Sequence, residues 1–116
     1  VKILVGSLPK IEIQTGVSMN YSNFVKEQIM RFIVEMTVEY NRVFESASRY
    51  PDVCFGILTK AFSLAIFDNK KVVEIKHFWD AINTTDAVYQ DVKNKFKPIF
   101  KDRFRDLIEN EHAILE

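Results

Sequence analysis

Apolar residues recur at helical spacing along most of the chain. Val25, Ile29, Phe32, Met36, Tyr40 and Val43 are separated by four, three, four, four and three positions, which sets them on one face of a long amphipathic helix. Ser18, Asn20, Ser22 and Asn23 stand ahead of this ladder as candidate N-caps, so the helix is predicted from about Asn20 to Ser48. Pro51 disfavours helical geometry at Tyr50 but suits the first position of a new helix, and Asp52 then meets the positive end of the helix dipole. Phe55, Leu58, Phe62, Ala65 and Ile66 form the predicted buried face of that second helix, which should stop near Asp68-Asn69. A short extended segment is expected around Val72-Val73, followed by a helix of two or three turns that buries Ile75, Phe78, Trp79 and Ile82 and ends at Asn83-Thr84-Thr85-Asp86.

The last ladder, Val88, Val92, Phe96, Phe100, Phe104 and Leu107, predicts a long amphipathic helix over 86–110 with a kink near Pro98. Its other face carries Lys93, Lys95, Lys97, Lys101, Arg103 and Arg105 among Asp91, Asp102 and Asp106, the pattern of a solvated face. Residues 1–15 are ambiguous. Ile3, Val5, Ile11 and Ile13 alternate as in a strand, whereas Leu4, Leu8 and Ile11 have helical spacing and Pro9 would bend or end such a helix. The expected fold class is all-α, with a short extended segment near 71–74.

The length of 116 residues fits one domain with a real core, and ten Phe make that core aromatic-rich. Sixteen basic and sixteen acidic residues cancel, so no global field draws the chain to nucleic acid or to an anionic membrane. One cysteine, Cys54, excludes an internal disulfide and fits a reducing compartment, with the cytoplasm as the expected location. Cys54 lies in an apolar stretch and reads as a buried structural thiol. No run of eighteen apolar residues offers a membrane span. The chain opens on Val1 and is read as a piece of a longer protein.

Candidate chemistry is sparse. His77 and His112 are the only histidines, with no Cys or carboxylate at ligand spacing on the same face, and no metal is expected. No Walker A pattern and no nucleophile with a base occur, so no catalysis is expected from this chain alone. Glu35 and Glu39, four apart on a helix, read as solubilising charges. Arg49-Tyr50-Pro51-Asp52 is the most informative polar cluster, because a helix start presents free N–H groups and an Arg just before it can reach an anion held there.

Two stretches resemble the small helical lid domain of Clp-type AAA+ unfoldases. Ile3-Leu4-Val5-Gly6-Ser7-Leu8-Pro9-Lys10-Ile11-Glu12, followed by Gly16-Val17, is similar to the opening of that lid. Arg49-Tyr50-Pro51-Asp52, running through Leu58 and Ala61 to Ala65, is similar to the lid segment that begins its next helix. The resemblance covers residues 3–83 and departs from the family pattern at Gln14-Thr15, Val53 and Thr59-Lys60. It implies a lid wall for an adenine pocket, with Ile3, Leu4, Pro51 and Asp52 as contacts and Arg49 near the phosphates. ATP or ADP would be held only together with a large AAA+ subdomain. Other subunits of the ring, a protein substrate and a protease would be the partners, without nucleic acid or membrane. Two rival readings remain open: a standalone helical interaction module that dimerises or docks a partner, and a nucleic-acid-associated subunit that meets phosphates with Lys93 to Arg105.

Overall fold

A computed structural model describes residues 2–44, 50–85 and 90–113, and within these the side chains of 2–5, 40–44 and 50–52 lie outside the description. The described residues form six helices: α1 Lys2–Thr15, α2 Asn23–Phe44, α3 Tyr50–Phe67, α4 Ile75–Thr84, α5 Gln90–Arg103 and α6 Arg105–Asn110. The fold is mainly helical. None of the helices is long and apolar enough to cross a membrane.

The ambiguous start is a helix. Pro9 lies inside α1, and Leu8 is buried while Ile13 is exposed. Gly16, at φ 71°, ends it, and its N–H bonds to the Glu12 carbonyl at 3.0 Å. That is the left-handed cap for which glycine carries no Cβ penalty. Helix α2 begins three residues later than Asn20, because Ser22 takes the cap: its Oγ accepts from the Val25 N–H at 3.2 Å.

Along α2, Ile29, Phe32 and Met36 are buried and Val25 is half-buried. Thr37, also buried, donates to the Ile33 carbonyl at 2.9 Å and receives the Cys54 thiol at 3.5 Å. In α3, Leu58, Phe62 and Ala65 are buried as expected, joined by Val53, Cys54, Ile57 and Ala61. Ile66 is not part of that face. It is 47% exposed, because one further step of 100° past Ala65 carries it off the apolar stripe. Asn69, at φ 58°, closes α3, with the Lys70 N–H on the Ala65 carbonyl and the Asn69 N–H on Ile66, both at 2.9 Å. These two bonds satisfy the last carbonyls in the Schellman pattern.

Helix α3 packs against α1, α2 and α4, and α5 lies on α2. The extended segment is present as one parallel bridge, Ser18 with Val72. The Ser18 N–H bonds to the Lys71 carbonyl and the Val73 N–H to the Ser18 carbonyl, both at 2.9 Å. The predicted kink at Pro98 is displaced. Helix α5 runs through Pro98, and the break comes at Phe104, at φ −111° and ψ 25°. There the ring turns inward against Phe100, with centroids 4.9 Å apart, and against Phe32 at 6.1 Å. The change in helical path thus coincides with the inward turn of a large ring and not with the proline.

Candidate functional site

The helices expected to wall a nucleotide pocket are neighbours. Helix α1, which carries Ile3 and Leu4 in its first turn, packs against α3, which begins at Tyr50 and carries Pro51 and Asp52. The side chains of these four residues, and the whole of Arg49, lie outside the described residues. The parallel bridge between Ser18 and Val72 joins the segments that follow α1 and α3. The Glu12 carboxylate, near the end of α1, also accepts the Met19 N–H at 3.4 Å.

Around this junction the structure gathers polar groups that are far apart in the sequence. Glu111, just past α6, accepts the Tyr21 hydroxyl at 2.7 Å with one oxygen and the Ile75 N–H at 2.9 Å with the other. The Ile75 N–H is the first of α4, so the carboxylate sits at the positive end of that helix. Burial pushes the Tyr21 phenol well above its ordinary value of 10.0, and the Glu111 carboxylate adds to the shift. Lys70, Lys71 and Glu74 line the solvent-open hollow beside the pair.

His77 is buried at the start of α4, and the Glu74 N–H donates to its Nδ1 at 2.9 Å. Nδ1 is therefore an acceptor, and in the neutral ring Nε2 carries the proton and donates to Asp68 Oδ2 at 2.8 Å. This bond, more than Lys76 at 3.6 Å, holds the Asp68 carboxyl below its ordinary 3.8. Sequence spacing gave no carboxylate partner for His77; the α3 cap at Asn69 supplies it by folding Asp68 back toward α4. The pair links two helix ends. Among the described residues, no group of three His, Cys, Asp or Glu side chains is placed to hold a metal ion.

The basic face of α5 is not a uniform solvated stripe. Lys93 is buried, and its Nζ donates to the carbonyls of Asn83 at 2.9 Å and Thr85 at 2.7 Å. Lys60 donates to the Thr84 carbonyl at 3.1 Å, so two lysines serve the C-terminus of α4, where cations are favoured. The ladder Val92-Phe96-Phe100 brings Lys93 inward because it neighbours Val92 on the edge of the apolar stripe and its long stem spans the apolar layer. Lys95 pairs with Glu39 at 2.6 Å and Arg103 with Glu35 at 3.2 Å. Glu35 and Glu39 are thus ion-pair partners between α2 and α5 as well as solubilising charges.

Cys54 is buried beside Thr37, and burial raises its thiol above the ordinary 9.0, the opposite of what a reactive thiolate requires. No protein-family model matches the chain, and neither a curated protein nor a solved structure matches it significantly.

Proposed function

We propose that the chain is a lid-like helical domain of a Clp-type AAA+ protein, acting in the cytoplasm as part of an ATP-driven unfoldase or chaperone. The observation that carries the reading is the junction of the two stretches on which the resemblance rests. The segment after Gly16-Val17 bonds through Ser18 to the backbone around Val72-Val73, while α1 lies against α3. The helices that carry the two stretches thereby lie side by side, which supports the reading.

In this reading Ile3, Leu4, Pro51 and Asp52 contact the adenine and Arg49 faces the phosphates, with ATP or ADP held only when a large subdomain completes the pocket. Catalytic groups reside on that subdomain. The lid supplies a stiff body that turns nucleotide state into rotation against the next subunit. Ile13, Ile66 and Phe67, exposed by 84%, 47% and 87%, lie near the C-terminal ends of α1 and α3. Such exposed apolar residues suit packing against a neighbouring subunit or subdomain.

A second reading, the standalone interaction module, draws on Phe24, which is 73% exposed beside a groove between α2 and α6. Nuclear Overhauser contacts from the Ile3 and Leu4 methyl groups to Pro51 and Asp52 test the first reading. Contacts around a notch open to solvent support the lid. Their absence, with the residues on opposite sides of a closed bundle, refutes it, and a tight dimer in sedimentation then supports the module.

A further inference from the structure

We propose that α6 and the turn after it form a releasable strap, fastened by Glu111, which opens while the rest of the helical body stays folded. The break at Phe104 gives the strap a boundary. On the α5 side, Val92, Phe96, Phe100 and Phe104 itself are buried. Beyond it α6 buries no residue fully; Leu107, Ile108 and Ala113 are only partly covered by the core.

Six residues are too few for a helix that holds itself together in water, where isolated helices of fewer than about 12 residues are marginal. One side of α6 also faces water and not the core. A solvent-open groove runs between it and the start of α2, lined by Phe24, Val25, Gln28, Phe104 and Leu107 among others, so this flank adds little buried apolar area to hold the helix down.

Besides the local, exposed Arg105–Asp102 pair across the break, a charged group of the turn reaches parts of the chain distant in sequence. The Glu111 carboxylate spans two partners distant in sequence, the Tyr21 hydroxyl at 2.7 Å and the Ile75 N–H at 2.9 Å. Hydrogen bonds to a carboxylate are stronger than neutral ones, and both are lost together when the turn lifts. Release returns the Tyr21 hydroxyl and the first N–H of α4 to solvent. Segments with few buried contacts open locally at lower free energy than the core.

Amide hydrogen exchange on the 116-residue chain tests the proposal. In the unmodified chain, amides of Leu107 to Ala113 are expected to exchange at least about 100-fold faster than the slowest amides of α2, α3 and α4. Glu111→Ala should speed exchange in Leu107 to Ala113 by about tenfold or more, with the core amides unchanged. Tyr21→Phe, which removes one bond and keeps the fold-bearing ring, should give a smaller acceleration at the same amides. Exchange of α6 at the core rate in the unmodified chain overturns the proposal. So does an acceleration spread evenly over the whole chain, or none at α6 in either variant.

Discussion

Phe100 touches three aromatic neighbours, with centroid separations of 5.1 Å to Phe32, 5.1 Å to Trp79 and 4.9 Å to Phe104. It is 1% exposed, so its truncation leaves a cavity lined by rings that cannot collapse easily. Phe100→Ala should lower unfolding free energy by about 3–5 kcal/mol, read from urea denaturation. Tyr21 gives a pH signature. Its phenol is held above 10.0 in the folded state, so its contribution is fully present below the unfolded-chain value. That contribution is lost as pH rises beyond about 10, where the unfolded chain releases the proton first. Thermal unfolding of the unmodified chain should therefore fall off above that pH more steeply than that of Tyr21→Phe. Most described residues of the apolar ladders, Ile66 excepted, were legible in the sequence because burial follows period, while the side chains of Tyr40, Val43 and Val88 lie outside the description. Lys93 and the Asp68–His77 pair were not legible, since their partners are backbone carbonyls and a carboxylate set by tertiary packing.

Helix α4 shows how an element of ten residues is held at both ends by groups from elsewhere. Glu111 meets its first N–H, while Lys93 and Lys60 meet its last carbonyls. Lys93→Met keeps the stem but leaves the Asn83 and Thr85 carbonyls without that donor, and should cost about 1–3 kcal/mol. Lys95→Ala, which breaks an ion pair whose lysine is 57% exposed, should cost at most about 1 kcal/mol. Paired urea melts distinguish the two. At the end of α3, Asn69 occupies the left-handed region at φ 58°. Asn69→Gly should be neutral or stabilising, whereas Asn69→Val should cost about 1 kcal/mol or more, since a β-branched residue resists that conformation. Helix existence was readable from spacing. The boundaries were less so: Ser22 won the cap from Asn20, and Phe104 displaced the break expected at Pro98.

At the scale of the whole molecule, α3 is the hub that meets α1, α2 and α4, while α5 lies on α2. No periodicity in residues 1–15 could choose between strand and helix, because the deciding contact is the α3 surface. The candidate nucleotide contacts Ile3, Leu4, Arg49, Pro51 and Asp52 came from short motifs alone; the fold gives the neighbourhood of the helices that carry Ile3, Leu4, Pro51 and Asp52, and Arg49 lies outside the described residues. The single bridge between Ser18 and Val72 has a consequence for the order in which the chain is made. Helix α1 is synthesised about fifty residues ahead of the backbone that secures its C-terminal end, and until α3 follows it lacks the main surface it packs on. A nascent chain stalled before Val73 should offer α1 to chaperones and proteases, and one stalled well beyond it should not.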